Sequence, residues 1–135
     1  MIAKITMGKY NIVMLTLNEL EDGAVILING EMGAGKTTFV KGIIPNATSP
    51  TFTIVNQYIP NIFHLDLYRL EHPEEFYNLG LEDILAPGNI VFIEWAERLP
   101  KNWLRHLSGL IINVNISKLD NDERKIEITK SHPST

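Results

Sequence analysis

The residues best placed to do chemistry are Gly30, Gly33, Gly35, Lys36 and Thr37, which fill the pattern G-x-x-x-x-G-K-[ST]. Glycines at such a turn let backbone N–H groups converge on phosphate oxygens with no Cβ in the way. A helix beginning near Lys36 adds its unpaired amides and the positive end of its dipole. Lys36 can then reach the β- and γ-phosphates as a point charge, and the Thr37 hydroxyl is placed for Mg²⁺. Residues Glu31, Met32, Gly33, Ala34, Gly35, Lys36, Thr37 and Thr38 are therefore the expected nucleotide-phosphate-binding loop. The bland alternative is a glycine-rich strand-to-helix turn that binds nothing. The apolar run Val25 to Ile28 before the loop and the helical pattern after it weigh against that, since the motif requires both.

A nucleotide hydrolase also needs a carboxylate near the metal, usually at the end of a second buried strand. Glu94 ends the run Ile90-Val91-Phe92-Ile93, and Asp66 lies within Phe63-His64-Leu65-Asp66-Leu67-Tyr68-Arg69. A buried acid without a partner is expensive, so Asp66 should face a metal, an arginine or a cluster of donors; an ion pair with Arg69 is the plain alternative. For Glu94 the plain alternative is an exposed acid at a strand end. Lys36, Asp66 and Glu94 are the candidate catalytic residues. Thr37 and Glu94 are the candidate metal ligands, with Asp66 a further possibility, and which acid is the main one is open. Ser49-Pro50-Thr51-Phe52 occupies the place of a loop that senses phosphate. On general grounds Trp95 is expected in the core, and His64 as a hydrogen-bonded structural residue.

The elements that must position these groups follow from periodicity. Residues 9–21 place Tyr10, Val13, Met14, Leu17 and Leu20 at helical spacing, with Gly23 as a cap. Pro45 stops the helix after the loop. Strands are expected over 51–59 and 62–67, paired through Pro60-Asn61, then an acidic helical stretch over 73–85 interrupted at Gly80. A buried strand over 90–93, a short helix over 100–107 and two strands over 110–116 and 125–129 complete the chain. Strands that do not alternate strictly with helices predict a mixed parallel and antiparallel sheet flanked by helices, an α/β domain of the P-loop NTPase-like, three-layer kind.

The chain has 135 residues, net charge −4 and no cysteine. That length suits one domain over residues 1–130, with 131–135 as a disordered tail. Without cysteine there is no disulfide framework, cysteine-ligated zinc or thiol catalysis. The acidic balance argues against a stand-alone nucleic-acid binder, so a role in nucleic-acid metabolism would go through a partner protein. No signal peptide and no membrane span are expected, which makes a cytoplasmic location the default.

Taken together, Gly30-Glu31-Met32-Gly33-Ala34-Gly35-Lys36-Thr37-Thr38-Phe39, Ser49-Pro50-Thr51-Phe52-Thr53, His64-Leu65-Asp66-Leu67-Tyr68-Arg69-Leu70, Leu79-Gly80-Leu81-Glu82 and Ile93-Glu94-Trp95-Ala96-Glu97-Arg98-Leu99 closely resemble the bacterial TsaE family. The resemblance covers roughly residues 20–100. It implies a Mg²⁺-dependent ATP-hydrolysing accessory to the threonylcarbamoylation of adenosine 37 in tRNA (t6A). It also implies that Thr37 and Glu94 hold the metal and that Asp66 assists catalysis or positions water. The implied partners are the TsaD- and TsaB-type subunits of the transferase complex, with tRNA reached only through them. Two segments, Lys41 to Ser49 and Tyr58 to His64, are shorter than the family pattern. The runner-up is a small-molecule kinase using the same loop, although Arg69, Arg98, Arg105 and Arg124 are too few for an arginine-rich lid. A nucleotide-binding regulatory module without turnover is a third reading.

Overall fold

A computed structural model describes residues 2–7, 11–16, 20, 22–50, 53–105, 107, 109–120 and 123–131. Its main sheet has six strands: β3 (Ala24–Gly30), β4 (Val55–Ile59), β5 (Ile62–Asp66), β6 (Ile90–Glu94), β7 (Leu110–Lys118) and β8 (Arg124–Ser131). They run in the order β4-β5-β6-β3-β7-β8. The four central strands are parallel, while β4 and β8 close the two edges by antiparallel hairpins. The sheet is thus mixed, as the sequence suggests, and its parallel centre is apolar on both faces.

Alternation along the strands sends side chains into two cores. Ala24, Ile26 and Ile28 pack with Phe92 and Ile112 against Phe39, Val40 and Ile43 of α1 (Lys36–Ile43). Val25, Leu27, Val91 and Ile93 pack on the opposite face, where α2 (Pro73–Tyr77) and α3 (Leu81–Ile84) bring Phe76, Leu81 and Ile84. A short α4 (Lys101–Arg105) follows on that side, with Trp103 against the same core. At ~25 cal/mol per Å² of apolar surface, each fully buried Ile or Leu contributes ~1.5–3 kcal/mol, so both layers are needed to hold the sheet.

Three expectations change. The helix expected over 9–21 is a strand in its described part: β2 (Asn11–Thr16) pairs antiparallel with β1 (Ile2–Met7), in the register Ile5↔Val13 and Ala3↔Leu15. The run Ile12-Val13-Met14-Leu15 satisfies helical and alternating spacing equally, and pairing with the preceding strand decides the matter. Of the rest of that stretch, Leu20 lies in a single turn closed by Gly23, whose N–H donates to the Leu20 carbonyl at 2.8 Å, and residues 9–10, 17–19 and 21 fall outside the described residues. The strand expected from residue 51 begins at Val55, since Thr53 and Ile54 form a turn and 51–52 lie outside the described residues. Ser131, expected in a tail, pairs with Ile111 at the end of β8. The acidic helical stretch is two short helices, separated where Gly80 takes φ +73°.

Candidate active site

The parallel strands β3, β6 and β5 end side by side, with Ile28 in register with Glu94 and Glu94 with Asp66. In an open α/β sheet this carboxyl edge is where ligands bind. The loop Glu31–Gly35 leaves β3 there and turns directly into α1. Gly30 must be glycine because a Cβ on it would stand 2.8 Å from the Ile116 carbonyl oxygen. Gly35, which precedes the first turn of α1, has φ +107°, and a Cβ on it would meet nothing within 4 Å. Here the backbone needs left-handed freedom and faces open space.

That space is a cleft of about 470 Å³ lined by Met32, Gly33, Gly35, Lys36, Thr37, Thr38, Ser49, Asp66, Tyr68, Glu94 and Trp95. Of the expected site residues, Met32, Gly33, Gly35, Lys36, Thr37, Thr38, Asp66 and Glu94 line this cleft, while Glu31 and Ala34 do not. The Lys36 ammonium donates to the carbonyls of Gly30 at 2.7 Å and Glu31 at 2.9 Å. It also sits 4.2 Å from the centre of the Trp95 ring. Burial holds Lys36 below the usual lysine range; the carboxylates of Glu94, Glu97 and Asp66 oppose that shift and the Lys118 ammonium reinforces it.

The Thr37 hydroxyl contacts both oxygens of Glu94, at 3.1 and 3.0 Å. Glu94 is buried, as is Asp66, so neither is an exposed acid. His64, fully buried on β5, brings its Nε2 to within 2.5 Å of Glu94 Oε2. It is a hydrogen-bonded residue as expected, but its partner is the candidate metal ligand. Asp66 accepts the Tyr68 N–H at 3.0 Å, and its own N–H donates to the carbonyl of Ile54. Ile54 has φ +68°, a costly conformation for a β-branched residue, ~1–3 kcal/mol. Strain thus sits one hydrogen bond from Asp66. Ser49 lines the cleft, while Thr51 and Phe52 are outside the described residues.

Trp95, expected in the core, packs against it only partly buried and also lines the cleft. Its φ of +58° swings the ring out at the end of β6, where it is half-buried and walls the cleft. Tyr68 packs beside it at 4.9 Å between ring centres, and the Arg98 guanidinium lies over Tyr68 at 5.3 Å while donating to the Leu70 carbonyl.

Two cations have no signal in the sequence. Arg124, at the start of β8, donates to the Ala34 carbonyl at 3.0 Å and the Gly33 carbonyl at 3.4 Å. The Lys118 ammonium lies 3.0 Å from where a Cβ on Gly33 would stand. Both reach the loop only because β7 pairs with β3, a long-range fact that local pattern does not carry.

The donor set also suits Mg²⁺. It consists of hard oxygens, one anionic and one neutral, beside a loop shaped for phosphate; Mg²⁺ is commonly held by one or two carboxylates together with substrate phosphates. Fold and cleft together define an α/β protein of the phosphate-loop type. Comparison with known proteins narrows this. Residues 9–126 match the family model for "Threonylcarbamoyl adenosine biosynthesis protein TsaE". The chain is 42% identical to the "tRNA threonylcarbamoyladenosine biosynthesis protein TsaE" of Nostoc sp., over 88% of this chain and 78% of the relative. It is 38% identical to the protein of the same name from Rickettsia typhi, over 90% and 88% respectively. Among solved structures, Bacillus subtilus YdiB superposes with a TM-score of 0.59 at 29% identity, over 83% of this chain and 70% of that one. The chain belongs to the TsaE family.

Proposed function

We propose that this protein binds ATP with Mg²⁺ and hydrolyses it slowly, as an accessory to the formation of threonylcarbamoyladenosine at position 37 of tRNA, acting through a transferase complex with TsaD- and TsaB-type subunits. The observation that carries the ATPase reading is the contact between Thr37 and Glu94 at the mouth of the loop. It brings a hydroxyl from the first turn of α1 to a buried acid on the neighbouring strand, with Asp66 one strand further on. The family names carry the link to t6A.

Each residue has a distinct part in this reading. The loop amides and Lys36 bind the phosphates; two of the three ammonium donors hold the loop carbonyls, and the third is left for a phosphate oxygen. Thr37 and Glu94 hold the metal, which when bound neutralises charge on the phosphates. Asp66, in register with Glu94 on the next strand, assists catalysis or orients the attacking water. The described residues offer no long apolar helix able to cross a membrane. They bring Lys36, but no arginine, to the lining of the cleft. In related enzymes an arginine supplied in cis or by a partner raises turnover by ~10³ or more, which is why turnover alone should be slow. The test is a reconstituted t6A system with and without this protein, measuring phosphate release and tRNA modification together. Partner-stimulated hydrolysis with repeated t6A synthesis is expected. Fast turnover indifferent to the partners, or transfer of phosphate to a small acceptor, would overturn the reading.

A further inference from the structure

Thr37 touches both carboxylate oxygens of Glu94 and so does not distinguish them. His64 does, because its Nε2 meets Oε2 alone. Oε1 is left with Thr37 as its partner among the described residues. The other ring nitrogen of His64 lies 3.4 Å from the Tyr58 hydroxyl on the edge strand β4. That hydroxyl meets the backbone of Thr48 twice, accepting its N–H at 3.1 Å and lying 3.2 Å from its carbonyl oxygen. Asn56, two residues from Tyr58 on β4, also donates to the Thr48 carbonyl at 3.3 Å. Thr48 adjoins Ser49, which lines the cleft. A continuous polar chain therefore runs along the edge of the sheet, from Thr48 beside the cleft to the buried carboxylate.

We propose that His64 is the positioning residue for Glu94, and that through Tyr58 it ties the Thr48–Ser49 wall of the cleft to the orientation of that carboxylate. The proposal rests on the reading of Glu94 as the metal-holding acid. Residues that orient a metal ligand typically change metal affinity by ~10–100-fold when removed. A histidine that merely fills the core would weaken all binding alike. His64 would instead set the advantage that Mg²⁺ gives to nucleotide binding. Tyr58 would convey the state of the carboxylate to the wall.

The experiment measures the affinity of the full chain for a non-hydrolysable ATP analogue by calorimetry, in Mg²⁺ and in EDTA. The variants are His64→Gln, His64→Asn, Tyr58→Phe and Glu94→Gln. A Gln amide can reach Glu94 from roughly the place of Nε2, whereas the shorter Asn cannot. His64→Asn should lose ~10-fold or more of the Mg²⁺ advantage with its EDTA affinity intact, and His64→Gln should keep most of it. In the parent, Mg²⁺ with the analogue should slow amide exchange at residues 46–49; Tyr58→Phe should keep the advantage but lose that slowing, and a parent without it would overturn the link to the wall. Asn and Gln variants that behave alike, or an Asn variant weakened equally in both buffers, would overturn the role of His64. Exchange in Tyr58→Phe identical to the parent would overturn the link to the wall. Glu94→Gln separates the two readings. If it retains the full Mg²⁺ advantage, the metal assignment falls and this proposal with it; if it loses the advantage while His64→Asn does not, only this proposal falls.

Discussion

The Thr37 hydroxyl and the Glu94 carboxylate are 57 residues apart in sequence and 3.0 Å apart in space. Glu94 is only 3% exposed, so its contact with the partly buried Thr37 is not a surface accident. A buried acid left without its donors costs ~1–3 kcal/mol or more, so the contact joins the stability of the β6 end to the first turn of α1. Replacing either residue tests both fold and function, and the two effects separate by measuring folding and nucleotide binding in parallel.

The first prediction concerns the loop. Lys36→Ala should abolish hydrolysis and weaken ATP binding by ~1.5–3 kcal/mol, about 10–150-fold, because a charged donor to phosphate is lost. Thr37→Ala should spare most of the binding and chiefly impair Mg²⁺-dependent turnover. Calorimetry and phosphate release read the two quantities. Turnover at the parent rate in Lys36→Ala would remove the loop from the active site.

The two acids should separate cleanly. Glu94→Ala should raise the Mg²⁺ concentration needed for half-maximal turnover by ~10-fold or more. Asp66→Ala should lower kcat at saturating Mg²⁺ while leaving nucleotide affinity nearly intact. The opposite pattern would exchange their roles.

Trp95 should report on the site. With its ring beneath the Lys36 ammonium, its emission should shift when Mg²⁺ and ATP enter the cleft. The chain has two tryptophans, so the measurement is made with Trp103→Phe. A silent Trp95 would place the nucleotide away from this wall.

The lowered proton affinity of Lys36 sets a pH dependence. Because burial depresses its pKa in the fold, the unfolded chain binds more protons in the interval between that depressed value and 10.5. Stability should therefore rise with pH across that interval as the buried ammonium is relieved of its charge. A phosphate brought beside Lys36 restores the charge, so ATP binding there should take up protons and weaken as pH rises. Calorimetry in buffers of different ionisation enthalpy measures the uptake, and Lys36→Met should abolish it.

Arg124 should matter to binding although it stands outside the motif. Arg124→Ala frees the carbonyls of Gly33 and Ala34. ATP affinity should fall by ~1–3 kcal/mol while the melting temperature changes little, as the residue is only partly buried. Arg124→Lys should not rescue it, since one ammonium does not reproduce the guanidinium fork that reaches both carbonyls.

How much of this is legible in sequence depends on the range of the signal. Lys36, Thr37 and Gly35 carry a local pattern that dictates a local shape, and the carboxyl ends of the strands carrying Glu94 and Asp66 follow from short apolar runs. His64 and Trp95 are harder, because their types fit a core and only the register of β5 on β6 and the positive φ of Trp95 turn them to the site. Residues 11–16 satisfy two periodicities at once, so pairing with β1 decides their shape. Arg124 is invisible until the strand order is known.

That order bears on how the protein is made. The loop at Gly33 and Ala34 emerges from the ribosome early, yet β7, its strand's neighbour on one side, and Arg124, its clamp, are synthesised about 90 residues later. Until then β3 presents an unpaired apolar edge and the loop lacks the cation that holds its carbonyls. Contacts of such long sequence separation slow folding and leave edges open to wrong pairing. The growing chain thus has a window in which the motif is complete in sequence while β7 and Arg124 are not yet there to hold it.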